Sequence, residues 1–155
     1  MTGVILLSKD DFYADNSGSV AWGPSSDKAW LRHFIQGEIV IVGHETFQTI
    51  KDFDGLMCLA DKWLVDSRSK VYGVKNAMRF CKDCHEAFPA DSNPTINFGG
   101  PKTLMKYKPD TIIVHKADVT LGKGRALPDD FFDDYEIESS STEPEYEVII
   151  YVKKK

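Results

Sequence analysis

Several short segments of the 155-residue chain carry side chains whose type and spacing suit chemistry. Gly43 closes the apolar run Ile39–Val42, and a glycine there lets a ligand approach the backbone. The residues after it promise a helix start, whose N–H groups suit a phosphate, and Thr46 adds a hydroxyl. Gly99 and Gly100 precede Pro101 in the same way, although their spacing is not the full dinucleotide fingerprint. Asp27 lies among Trp22, Ala29 and Trp30, a carboxylate at a helix start among aromatic residues. Buried, it would need donors such as two N–H groups of one ligand. Exposed, it would simply favour the helix dipole. Arg68, after Ser67, offers a planar fork for an anion. Cys81, Cys84 and His85 are close in sequence but lack a second half-site, with only distant Cys58 and His115 in reserve. The expectation is therefore thiols and no metal.

The elements needed to position these residues alternate along the chain. Val4–Leu7 and Ile39–Val42 read as buried strands, because they are short continuous apolar runs. Ser25 or Ser26 can cap a helix near Asp27 that ends at Gly37, and a short helix should follow Gly43. Trp63–Val65 is a third strand, with Val71 and Tyr72 adding a short fourth before a helical stretch from Asn76 to Phe88. Thr95–Phe98 is another strand, followed by a helix from Pro101 and a strand from Thr111 to His115. Tyr135–Ser140 and Tyr146–Val152 should pair antiparallel. The fold class is single-domain α/β, with a mostly parallel central sheet flanked by helices and an antiparallel C-terminal edge. Such sheets bind ligands beyond the carboxyl ends of their strands.

Composition narrows the partners. With 42% hydrophobic and 28% charged residues, the chain can bury one core. No apolar run reaches the roughly 18 residues of a membrane span, and Val4–Leu7 is too short for a secretory signal, so a cytoplasmic protein is expected. A net charge of -5 opposes a general nucleic-acid binder. The three cysteines do not describe a disulfide framework.

Taken together, the segments resemble dihydrofolate reductase over nearly the whole chain. The resemblance rests on Trp22, Asp27, Ala29 and Trp30, on Ile41–Phe47, on Asn97–Pro101, and on Ile113–His115 with the closing strands. It implies NADPH as cofactor, 7,8-dihydrofolate as small-molecule substrate and a monomer without nucleic-acid or membrane partners. Asp27 would hold the pterin and favour its protonation, Trp22 would position water, and the Asp15–Ala21 loop would close over the rings. Ile5, Leu6, Leu31, Ile50 and Val114 would line the substrate. Gly43, His44, Thr46, Gly99, Gly100, Lys102 and Thr103 would receive the diphosphate, Ser67 and Arg68 the 2′-phosphate, and Leu7, Gly18, Ser19 and Phe98 the rest of the cofactor.

The pattern departs from the family at three places. Glu45 follows His44 where a basic residue is usual. Leu59–Lys62 replaces the segment holding the arginine that grips the glutamate tail of folate. Val114 stands for a hydroxyl residue that pairs with the carboxylate. These changes keep open a reductase of the same fold acting on another pteridine or pyrimidinone, or a non-enzymatic binding descendant.

Overall fold

The computed structural model describes residues 1–18, 25–50, 59–66, 71–75, 85–87 and 94–155. In chain order the elements are β1 (Thr2–Leu7), β2 (Phe12–Ala14), α1 (Ser25–Ile35), β3 (Ile39–Gly43), α2 (His44–Ile50), β4 (Lys62–Asp66), β5 (Val71–Lys75) and β6 (His85–Ala87). There follow β7 (Ile96–Gly99), α3 (Pro101–Lys106), β8 (Thr111–Ala117), β9 (Arg125–Ala126), β10 (Tyr135–Thr142) and β11 (Tyr146–Lys153). Nine strands form one sheet in the order β10-β11-β8-β1-β7-β3-β4-β5-β6, and β2 pairs with β9 in a small second sheet.

The five central strands, β8, β1, β7, β3 and β4, are mutually parallel, as their two-sided apolar runs predict. The C-terminal pair is antiparallel, as expected. The opposite edge differs. β5 runs antiparallel to β4, and residues 85–87 form a third antiparallel strand where a helix was expected. Helical spacing of apolar residues therefore lost to edge pairing at the end of that stretch; the remainder, 76–84 and 88, lies outside the described residues. The small β2–β9 sheet, only three and two residues long, carried no sequence signal of its own.

Alternation sorts the central strands onto two faces. Val40, Val42, Trp63, Val65 and Ile96 pack with Ile35 of α1 and with Phe47 and Ile50 of α2. Ile5, Leu7, Ile112 and Val114 pack on the other face with Leu104 of α3, Phe131 and Tyr135. Tyr135 donates its hydroxyl to the Pro109 carbonyl at 2.6 Å, and burial pushes its pKa up to about 12. On the α1 face an aromatic ladder crosses the sheet. Phe34 and Trp30 stack at 4.7 Å, Trp30 lies 4.1 Å from buried His115 of β8, and His115 stacks on Tyr146 of β11 at 5.0 Å. This ladder seats α1 over β8 and β11. Among the described residues, no helix is long and apolar enough to cross a membrane, and no group of His, Cys, Asp or Glu could hold a metal.

Candidate functional site

The carboxyl ends of β7 and β3 lie side by side, and two glycine turns meet there. Gly99 adopts a φ of +87°, in the region that favours glycine, and Gly100 caps α3. A Cβ on Gly43 would lie 2.6 Å from Thr103 Oγ1 and 3.6 Å from the Gly100 nitrogen, and one on Gly100 would lie 3.1 Å from Thr46 Oγ1. Gly43, Thr46, Gly99, Gly100 and Thr103 thus share one floor of bare backbone and hydroxyls. Side chains at the glycines would fill it. This donor set fits an approaching diphosphate. Because α2 and α3 are only seven and six residues long, local N–H groups and the two threonines supply that fit rather than a long helix dipole.

Asn97 builds the floor from below. It is fully buried in β7, between two apolar neighbours that face the other way. Its amide donates to the carbonyls of Thr103 at 3.1 Å and Tyr107 at 3.0 Å, and its Oδ1 accepts the Gly99 N–H at 3.0 Å. One side chain therefore ties the Gly99 turn to the middle and the C-terminal end of α3. The sequence signal was an amide inside an apolar strand two residues before a glycine pair, and residue type alone did not reveal its role.

Next to the floor, β4 ends at Asp66, the register partner of Gly43. The Asp66 side chain is only 7% exposed, and Lys106 of α3 reaches both its oxygens at 3.1 and 3.3 Å. That ion pair holds the Lys106 pKa above its ordinary value. Neither residue stood out in the sequence, because their meeting depends on α3 packing on β7 and β3 so that the Lys106 side chain reaches the end of β4.

Beyond β1, a second group of contacts joins two loops. Asp10 accepts from Ser8 Oγ at 2.7 Å and from the backbone N–H groups of Leu121 at 3.1 Å and Gly122 at 2.8 Å. The Ser8 bond is the chief reason that its carboxyl pKa is lowered to about 2. The Lys9 N–H bonds the Val119 carbonyl, Lys116 pairs with Asp11 at 2.7 Å, and β2 pairs with β9. The segment leading to the expected loop is thus fastened to the β8–β9 connection. Its last described residue, Gly18, lies against the Arg125 guanidinium.

The predicted site residues divide accordingly. Gly43, Thr46, Gly99, Gly100 and Thr103 come together, with His44 and Lys102 exposed at the ends of the two turns. Leu7 is buried at the end of β1, while Phe98 meets Trp63 edge-on at 5.9 Å on the α1 face. Leu31 on α1 is half-buried, Ile50 packs in the α1–α2 core, and half-buried Leu6 alternates with Ile5 and so shares the α1 face. Ile5 and Val114 are register partners whose side chains pack on the α3 face with Leu104, on the other side of the sheet from α1. Strand alternation explains the difference from Leu6, since a one-residue step reverses the face. Asp27 lies in the first turn of α1, one turn before Trp30, and its side chain lies outside the described residues. Trp22, Ser19, Ser67 and Arg68 also lie outside them, as do Cys58, Cys81 and Cys84.

Comparison with known proteins adds the fold. No family model and no curated protein sequence matches the chain. Among solved structures, a Thermotoga maritima protein described as a diaminohydroxyphosphoribosylaminopyrimidine deaminase/5-amino-6-(5-phosphoribosylamino)uracil reductase superposes with a TM-score of 0.66 at 12% identity. The match covers 99% of this chain and 56% of that one, so the chain spans just over half the length of that protein. The chain has the dihydrofolate reductase-like fold. At that identity the likeness speaks for architecture, including the parallel centre and the antiparallel edge.

Proposed function

We propose that the chain is a reductase that takes a hydride from a reduced nicotinamide dinucleotide, NADPH in the resemblance, and delivers it to a carbon–nitrogen double bond of a substrate without a glutamyl tail. That substrate is a pteridine other than folate, reduced in its ring, or a ribosylaminopyrimidinone, reduced at the sugar carbon joined to nitrogen. The observation carrying this reading is the convergence of Gly43 and Thr46 with Gly99, Gly100 and Thr103 at the carboxyl ends of β3 and β7. When bound, the dinucleotide supplies the hydride. The chain's own part is to receive the diphosphate on backbone N–H groups and hydroxyls, and to hold the ring donors at Asp27, one turn from the Trp30–His115 stack. A carboxylate there favours protonation of the nitrogen beside the reduced carbon, whether in the ring or exocyclic.

Two observations favour a substrate lacking the tail. The fold neighbour is described as a uracil reductase, and no arginine occurs from Lys51 to Lys62. Lys62, which opens β4, carries a point charge instead of a bidentate fork. Reduction of 7,8-dihydrofolate to tetrahydrofolate is the second reading, supported by Trp22 with Asp27 in the quoted segment.

Loss of reduced-nicotinamide absorbance, measured with NADPH and with NADH against dihydrofolate, a tail-less dihydropterin and a ribosylaminopyrimidinone, separates these readings. A preference for either tail-less substrate is expected. A strong, salt-insensitive preference for dihydrofolate would establish the second reading, and no turnover of any of them would remove both. Asp27→Asn should lower turnover at pH 7 by about 100-fold, with partial recovery in acid where the substrate arrives protonated.

A further inference from the structure

The order of the strands sets the direction in which a dinucleotide can lie. α1, which carries Asp27, is seated over β8 by the contact between Trp30 and His115. The glycine floor lies two strands away, at the ends of β7 and β3. With its reacting ring toward α1 and its diphosphate on that floor, a dinucleotide extends its adenosine outward, over the end of β4 about 4.8 Å further along. β4 ends at Asp66.

We propose that Asp66, held by Lys106, determines dinucleotide specificity by accepting the free 2′-hydroxyl of the adenosine ribose, so that NADH is used at least as well as NADPH. The inference rests on the dinucleotide reading and deepens it. Asp66 is level with Gly43 in register, and Lys106 follows one helical turn after Thr103, whose hydroxyl borders Gly43. The pair is therefore a direct continuation of the floor. Asp66 also follows Gly43 by about twenty residues, the interval at which a carboxylate reads a ribose hydroxyl in other βαβ dinucleotide sites.

The chemistry at Asp66 and Lys106 favours a hydroxyl over a phosphate, against the 2′-phosphate role that the resemblance implies for Ser67 and Arg68, which lie outside the described residues. A carboxylate has about four lone-pair directions. Lys106 fills part of that capacity, and a ribose O–H can donate to the remainder. A 2′-phosphate would instead bring negative charge against a carboxylate that is only 7% exposed. Turning Lys106 toward the phosphate would leave Asp66 shielded from water and unpaired. Glu45, exposed in the first turn of α2, adds negative charge on the neighbouring strand's turn.

Calorimetric titration of the full chain with ADP-ribose and with 2′-phospho-ADP-ribose tests this without requiring turnover. The wild type should bind ADP-ribose at least as tightly. Asp66→Ser should shift the affinity ratio toward the phosphorylated ligand by about tenfold, and Lys106→Met should shift it the other way. Should Asp66→Ser fail to give a cooperative thermal melt, the wild-type ratio and Lys106→Met decide. A wild-type preference of about tenfold for the phosphorylated ligand, or a ratio that neither variant moves, overturns the role of Asp66 while leaving the dinucleotide reading intact. Binding of neither ligand overturns that reading and the inference with it.

Discussion

The glycine floor and the loop clamp stand at the same edge of the sheet but are built from different physics. Under the floor, the fastening residue is Asn97, fully buried and committed to three main-chain partners within one turn and one short helix. The clamp beyond β1 is fastened by Asp10, by Lys116 with Asp11, and by Lys9 with Asp118, whose side chains are 69% and 72% exposed. Buried neutral hydrogen bonds are shielded from salt and pH, whereas exposed ion pairs are weak and screened. The proposed diphosphate surface is consequently preformed, and the loop side is open to adjustment. The proposed reductase, which would admit and release a substrate while holding a cofactor, needs that division.

The largest effect should come from breaking the floor. Asn97→Leu removes three hydrogen bonds, leaving the buried Gly99 N–H without its acceptor and the Tyr107 carbonyl without its side-chain donor while Thr103 keeps the Tyr107 N–H, and should cost about 3 kcal/mol of unfolding free energy. A shift of that size in the denaturant midpoint, with the slope unchanged, is the expected result. A shift comparable to that of an exposed ion-pair mutant would erase the distinction between the two regions.

Gly43→Ala sharpens the comparison from the binding side. Its Cβ would stand 2.6 Å from Thr103 Oγ1, so the overlap should cost about 1–3 kcal/mol and weaken dinucleotide binding by at least about tenfold. Adding Thr103→Ala should recover part of the stability, giving a measurable coupling between the two turns. Gly37→Ala is the control. Gly37 has a φ of +73° with nothing within 4 Å, so alanine there meets only backbone strain, about 1 kcal/mol, and binding should not change.

The smallest effect belongs to the clamp. The Asp10 carboxyl is lowered from 3.8 to about 2, chiefly by Ser8, so the folded state favours the ionised form. Its contribution is therefore complete above pH 3.8 and is lost as the pH falls through about 2. The Leu121 and Gly122 amide resonances should titrate near the lower value. Asp10→Asn at neutral pH should accelerate exchange of those two amides by about tenfold and leave global stability nearly unchanged. Equal acceleration at Gly99 would show that the two regions open as one unit.

Much of this was legible in the residues. Continuous apolar runs identify Val4–Leu7 and Ile39–Val42 as strands buried on both sides, and the glycines after the strands locate the turns, because both signals are local. Local signals failed where partners were remote. Residues 85–87 joined an antiparallel edge against a helical expectation, since pairing with β5 outweighs a short stretch's own periodicity. The polarity of Ile5 and Val114 likewise did not say which face they take, and register placed them on the α3 face. Residue types and spacing by themselves determined the fold class and the position of the two glycine turns. Only tertiary structure decided that Gly43 meets Thr103, that Asn97 holds the middle and the C-terminal end of α3, and that Lys106 covers Asp66, because each contact joins residues that approach only when α3 packs on β7 and β3.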